Sequence, residues 1–131
     1  MAEIEKTEKI TVNVGVVDLG EIDLLVREGF YANRTEFIRG AIRAQLATRA
    51  AAVEQTVARK TLTLGTLRYT RRELEQLRSA GKMVDVRVLG LASIADDVSA
   101  ELARATIASV EVLGAFRASD AVKAALADRI V

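Results

Sequence analysis

The chain contains few combinations of residues that could do catalytic chemistry. It has no histidine and no cysteine, which removes the usual base of a nucleophilic serine, every thiolate and the commonest metal ligands. The adjacent carboxylates Asp96 and Asp97 could hold a divalent ion or act as an acid–base pair, but acidic residues before a helical segment are also typical of helix capping. No catalytic group emerges, so we expect a protein that is not an enzyme and has no metal site and no cofactor.

Two other stretches have the chemistry of binding sites. Residues 8–17, EKITVNVGVV, alternate polar and apolar side chains, which predicts a strand with Lys9, Thr11 and Asn13 on one side. The segment RYTRRELEQLR concentrates arginines and could form an anion-binding or secondary DNA-contact surface, or simply a solvated helix face. A single strand leaves its backbone donors and acceptors unpaired, and the nearest candidate to cover them is the same strand of another copy of the chain.

The residues after this strand predict two helices. An apolar stripe predicts the first helix from about Asp18 to Glu28, and Gly29 stands where a helix often ends in a left-handed turn. Asn33 predicts the N-cap of a second helix, with Glu36 three residues later completing a capping box. The order is therefore strand, helix, tight turn and helix.

This order, carried by KITVNV and IDLLVREGFYANRTEFIRGAI, resembles the ribbon-helix-helix DNA-binding family. The resemblance covers about Lys9 to Leu46, and Gly15 departs from it because many members have proline there. It implies an obligate homodimer whose two strands pair antiparallel into a ribbon that lies in the major groove of double-stranded DNA. Some forty residues with one half-buried strand could not enclose a core alone, which agrees with a dimer.

The resemblance also implies a set of DNA-contacting residues. The strand residues Lys9, Thr11 and Asn13 would contact base edges. The start of the second helix would hold a DNA phosphate through its amides and a guanidinium, at Asn33, Arg34 and Thr35. The alternative is ordinary solvent exposure, of a strand face in the first set and of a surface arginine in the second.

The rest of the chain predicts a helical connector and a small α/β unit. Residues 49–60 contain no Gly, Ser or Pro, which predicts an extended second helix or two helices nearly end to end. In residues 61–131, three strand-like segments end at Gly65, Gly90 and Gly114, and each is followed by a helical pattern. We interpret them as a strand-turn-helix unit used three times, with parallel strands that place Arg87 beside Glu111. The alternative is an ordinary α/β unit with similar strand ends.

The expected fold class is mixed α/β: an intertwined ribbon-helix-helix dimer domain at 8–48, a connector at 49–60 and a C-terminal unit at 61–131. We expect a sequence-specific transcriptional regulator, a repressor. Its C-terminal unit would join dimers into tetramers or higher assemblies, or bind a small-molecule effector or a protein partner. The alternatives are an antitoxin and a structural protein that polymerises through strand edges while tethered to DNA. Nickel-responsive repressors are similar in length and N-terminal domain, but they hold metal with His and Cys, which this chain lacks.

Charge and hydropathy are weak guides to partners. The formal net charge is +1, so DNA binding must come from the local placement of charge rather than from its total. The start of the chain, MAEIEKTE, lacks the cationic segment and apolar run of a signal peptide, and no apolar stretch is long enough for a bilayer. These features predict a cytoplasmic protein with no membrane partner.

Overall fold

The computed structural model describes residues 6–131. Among them, the helices are α1 (Val16–Arg27), α2 (Arg34–Thr48), α3 (Ala50–Lys60), α4 (Arg71–Ser79), α5 (Ala100–Thr106) and α6 (Asp120–Ala125), and the strands are β1 (Thr63–Tyr69), β2 (Val84–Ile94) and β3 (Ile107–Arg117). A short 3-10 turn follows α6. Of the described residues, 7–56 form one compact unit and 57–131 together with Lys6 form the other, whereas the finer boundaries at 48 and 60 stay predictions. The first residues of the MAEIEKTE segment lie outside the described part.

The N-terminal segment differs from its sequence pattern. Residues 6–15 have no regular secondary structure, so the strand predicted over residues 8–17 is not observed in the single chain. Its last two residues, Val16 and Val17, instead form the first turn of α1, which starts two residues earlier than predicted. A strand is defined by the hydrogen bonds of its ladder, and residues 6–131 of one copy supply this segment with no partner strand.

The turn between the first two helices follows the sequence pattern. Gly29 has φ +85° directly after α1, the left-handed conformation that glycine adopts without steric cost. The side chain of Asn33 accepts a hydrogen bond from the amide of Glu36 at 2.8 Å, which confirms the predicted N-cap of α2. Two helices separated only by Arg49 cover residues 34–60, so the second of the two connector predictions is confirmed.

The C-terminal unit is a parallel sheet with helices against it. The strand order is β1-β2-β3 and both pairs are parallel, with α4 and α5 as the crossovers. The core contains Val86 and Val88 of β2, Val110 of β3, Leu74 of α4 and Val122 of α6, and all five side chains are completely buried. Asp85 and Arg87 alternate with these valines along β2 and are exposed.

The three glycines that we expected to end the strands lie inside them, so that expectation is wrong. Gly65, Gly90 and Gly114 occupy one row of the sheet and have φ values of +118°, +137° and +120°. A Cβ at Gly90 would overlap the carbonyl oxygen of Gly65, and a Cβ at Gly114 would overlap that of Gly90. Glycine is therefore required because the backbones approach closely, and the strands continue beyond it. The interpretation of the three segments as repeats of one unit stays a prediction.

Each helix of the C-terminal unit begins at a side chain that caps it, and the predicted pairing of Arg87 with Glu111 is observed. The side chains of Thr70, Ser99 and Ser119 accept hydrogen bonds from the amides at the starts of α4, α5 and α6. Arg87 lies opposite Glu111 in the register, with 3.5 Å between Nη2 and Oε2. No helix among the described residues is long and apolar enough to cross a membrane.

Candidate nucleic-acid interface

The candidate base-contacting residues are exposed side chains in the segment before α1. Lys9, Thr11 and Asn13 all lie in the irregular stretch 6–15, and each is exposed. Ile10, Val12 and Val14 alternate with them and are 74%, 69% and 46% exposed. Both sides of this segment therefore face solvent in the single chain, although one side is apolar.

The start of α2 combines free amides with a helix dipole. The cap formed by Asn33 engages the amide of Glu36, and the amide of Phe37 bonds the carbonyl of Asn33 at 3.3 Å. Within residues 6–131, no hydrogen bond is formed by the amides of Arg34 and Thr35. Two unengaged amides at the positive end of a 15-residue helix form a site suited to a phosphate oxygen.

Arg34 does not extend into solvent alone, because Asp23 of α1 holds it. Arg34 donates from Nε to Oδ1 and from Nη2 to Oδ2 of Asp23, each at 2.8 Å. These hydrogen bonds lower the pKa of Asp23 and raise that of Arg34. The fork fixes the guanidinium beside the helix start and leaves Nη1 outside the pair, so Arg34 can contact a further anion without leaving Asp23.

Sequence reasoning missed Asp23 as part of this site. The two residues are eleven positions apart and on different helices, and no spacing rule within one helix joins them. A second contact at the same turn is an edge-to-face pair of Tyr31 and Phe37, with ring centroids 5.1 Å apart. Both contacts hold the turn between α1 and α2 and therefore orient the first turn of α2.

The Asp23–Arg34 pair predicts a pH dependence of stability. Because the folded-state pKa of Asp23 is lowered, the pair stabilises the fold above the unfolded-state pKa of about 3.9, and this contribution is lost as the pH falls through the lower folded-state value. We expect Asp23→Asn to lower the urea midpoint near neutral pH, and we expect this difference to shrink at about pH 2.

The control for this prediction is Glu21→Gln, which removes a carboxylate from α1 at a position for which the structure shows no ion pair. Its midpoint should follow that of the wild type at both pH values. A destabilisation by Asp23→Asn that is the same at both pH values would contradict an ionic role for the carboxylate.

The N-terminal unit has almost no core of its own. Ile22 is the one hydrophobic residue described in it that is buried, and α2 contains no buried residue. Its apolar stripe at Ile38, Ile42 and Leu46 is 45%, 49% and 59% exposed. So much exposed apolar surface on a unit this small is typical of a surface that a partner covers.

The other candidates from the sequence are exposed side chains of the C-terminal unit. Among residues 6–131 no group of three or more acidic side chains is placed to hold a metal ion. Asp96 and Asp97 lie in the turn before the Ser99 cap of α5. In the arginine-rich segment, Arg71 pairs with Glu75 along α4 at 2.9 Å, as on an ordinary solvated helix face.

A protein-family model matches more of the chain than the stretch from Lys9 to Leu46 that resembles the family in sequence. The model of the ribbon-helix-helix transcriptional regulator family matches residues 5–123. The match includes the parallel sheet, so the C-terminal part that we did not recognise from sequence also belongs to the shared family pattern. No curated protein and no solved structure matches the chain. Because the matched residues span nearly the whole chain, the protein belongs to the ribbon-helix-helix transcriptional regulator family.

Proposed function

We propose that the protein is a sequence-specific repressor that binds the major groove of DNA as a homodimer. Two copies pair their segments around Thr11 into an antiparallel ribbon, which supplies the strand that one chain does not form alone. Lys9, Thr11 and Asn13 then face the base edges, where lysine suits guanine, asparagine suits adenine and threonine suits either. The residues 57–131 serve for oligomerisation or for binding an effector or a protein partner.

The observation that carries this proposal is the exposed apolar side of the N-terminal unit. Residues 10, 12 and 14 and the stripe of α2 are all apolar and all exposed. Pairing of two ribbons and two α2 helices covers both surfaces at once and leaves the polar side of the ribbon outward. The membership of the family supports DNA as the partner of that side.

The start of α2 supports a second, sequence-independent contact. The unengaged amides of Arg34 and Thr35 and the guanidinium fixed by Asp23 are suited to one phosphate. In a two-fold dimer there are two such sites, one for each half of an inverted DNA sequence. These contacts position the ribbon in the groove and do not discriminate between bases.

An antitoxin function receives less support from the structure. Residues 57–131 have a core in which nine-tenths or more of each residue is buried, and α4, α5 and α6 all contribute side chains to it. Such a unit is unlike a tail that folds only when it covers a toxin.

The experiment that tests the proposal is fluorescence-anisotropy binding at two salt concentrations. The probes are DNA from upstream of the protein's own gene and a scrambled DNA of the same composition. We expect tighter binding to the upstream DNA, with a two-fold symmetric footprint and a steep loss of affinity with salt. Equal binding to both probes, with no preferred site in a selection from random DNA, would overturn sequence-specific recognition.

Dimerisation can be tested separately through α2. In a monomer, Ile42→Asp changes a half-exposed side chain and should cost little. In the proposed dimer it removes the burial of two isoleucines, each worth about 1.5–3 kcal/mol, and places two carboxylates in an apolar interface. We expect the concentration dependence of the melting temperature to disappear, together with DNA binding.

The matched control is Ala44→Asp. It introduces the same carboxylate two residues after Ile42, on the side of α2 that faces away from the stripe formed by Ile38, Ile42 and Leu46. Analytical ultracentrifugation of both variants gives the dimer fraction directly. If Ile42→Asp dimerises as well as Ala44→Asp, the stripe is not the dimer interface.

A further inference from the structure

The parallel sheet of the C-terminal unit has two outer edges, one on β1 and one on β3. Within the described residues, no strand pairs with the outer edge of β1. On the outer edge of β3, Ile130 forms a bridge with Val110, and the amide of Val131 donates to the Val110 carbonyl at 2.8 Å. β1 contains no proline and one charged residue, Arg68, so it lacks the features that usually prevent a strand edge from pairing.

The row of glycines is open at the same two edges. Gly90 lies against the carbonyl of Gly65, and Gly114 lies against the carbonyl of Gly90, with no room for a Cβ at either. Gly65 has the same left-handed conformation, but no atom lies within 4 Å of the position of its Cβ. Among residues 6–131, Gly65 therefore has the required conformation but no carbonyl against its Cα, and no glycine lies against the carbonyl of Gly114.

The position of the C-terminal residues also leaves space for a strand the length of β1 beside β3. In the register of the sheet, Thr63 at the start of β1 is level with Val88 and Val112. The C-terminal residues Ile130 and Val131 meet β3 at Val110, before that level. A β1 strand placed against β3 in the existing register would therefore pair from Val112 onward and would not overlap this contact.

The side chains beside the glycines at the two edges of the sheet are also complementary. Leu64, Leu89 and Leu113 form one row across the sheet. Leu89 in the middle strand is partly buried, whereas Leu64 and Leu113 at the edges are 67% and 51% exposed. A further strand would bring these two leucines together and remove apolar surface from water. Charge opposes the pairing at one position. Arg68 and Arg117 lie at the same level of the sheet, so a further strand would bring Arg68 of one copy beside Arg117 of the other.

We propose that a second copy of this chain adds its β1 in parallel to the outer edge of β3, with its Gly65 against the carbonyl of Gly114. The contact joins two different surfaces, head to tail, so it can repeat without closing and produces chains of C-terminal units. It specifies the oligomerisation role proposed above, yet it depends only on residues 57–131 and does not require DNA.

The first test is sedimentation velocity of the full chain without DNA over a wide concentration range. We expect wild-type species larger than a dimer that grow with concentration. Gly65→Ala should weaken this association at least tenfold, because its Cβ meets the Gly114 carbonyl only in the assembly. Gly81→Ala is the control, since Gly81 also has a positive φ and open space around it but lies outside the sheet, and it should assemble as the wild type does.

The second test uses a charge pair and does not depend on a glycine. Leu64→Lys and Leu113→Glu should each reduce assembly, and a mixture of the two variants should form complexes that neither forms alone. If Leu113→Glu assembles normally while Leu64→Lys does not, β1 pairs with another β1 and the proposal is wrong. A wild type that never exceeds a dimer, or a Gly65→Ala variant that assembles like the wild type, also overturns it.

These outcomes are distinct from failure of the proposed function. Gly65→Ala leaves residues 7–56 unchanged, so it should bind a single DNA site with the affinity of a wild-type dimer. Loss of assembly with retained binding supports both proposals, and assembly without specific binding supports this one alone.

Discussion

Gly90→Ala is expected to unfold the C-terminal unit. The added methyl group would overlap the carbonyl oxygen of Gly65 on the neighbouring strand, and this backbone atom cannot move without breaking the ladder between β1 and β2. The substitution also forces a side chain into φ +137°, a conformation that costs about 1–3 kcal/mol by itself. Together these effects should exceed about 4 kcal/mol, the range in which single substitutions abolish folding of small domains.

Gly81→Ala is the reference for a positive φ without a close neighbour. Gly81 has φ +67°, in the left-handed helical region, and no atom lies near the new methyl group, so the substitution should cost only about 1–2 kcal/mol. Urea unfolding followed by circular dichroism gives both values. If Gly90→Ala is no more destabilising than Gly81→Ala, the close approach of the strands at Gly65 and Gly90 is not a feature of the folded protein.

The triple variant Lys9→Ala, Thr11→Ala and Asn13→Ala is expected to lose discrimination between specific and scrambled DNA. Each lost base contact costs about 1–3 kcal/mol, and the two copies in a dimer double the loss. None of the three side chains is engaged by another side chain of the described residues, and all are exposed, so the variant should retain its fold and its dimer. The remaining affinity should come from phosphate contacts and should fall steeply with salt.

Arg34→Ala provides the contrast for the triple variant. It removes a proposed phosphate contact, so it should weaken binding to both DNAs by a similar factor and reduce the salt dependence. Circular dichroism at the assay temperature must show an intact fold, because the substitution also removes the ion pair with Asp23. A triple variant that folds, dimerises and still prefers the specific DNA would show that residues 9–13 do not recognise the bases.

Local chemistry made several features of this protein predictable. The N-cap at Asn33 and the glycine turn at Gly29 follow from interactions within a few residues, which depend little on the rest of the fold. The alternation of valines in β2 likewise determines which side of that strand is buried. The pairing of Arg87 with Glu111 follows once the strands are taken as parallel.

Features that depend on distant atoms were not predictable in the same way. The strand predicted at residues 8–17 needs a ladder partner, which residues 6–131 of a single chain do not supply, and α1 takes its last two residues. The glycine spacing suggested strand ends, because sequence alone shows where a left-handed residue can occur but does not show that a neighbouring carbonyl requires it.

The sequence by itself therefore determined the order of the helices and of the C-terminal strands, the helix caps, the inward faces of the strands and the resemblance of the N-terminal third to a DNA-binding family. Only the tertiary structure decided that Asp23 holds Arg34, that the strands run through their glycines, and that Gly90 and Gly114 lie against neighbouring carbonyls. The physical reason is the separation along the chain of the residues that interact. Caps and alternation arise between neighbours in the chain, whereas an ion pair across helices and a backbone contact across strands exist only when the chain has folded.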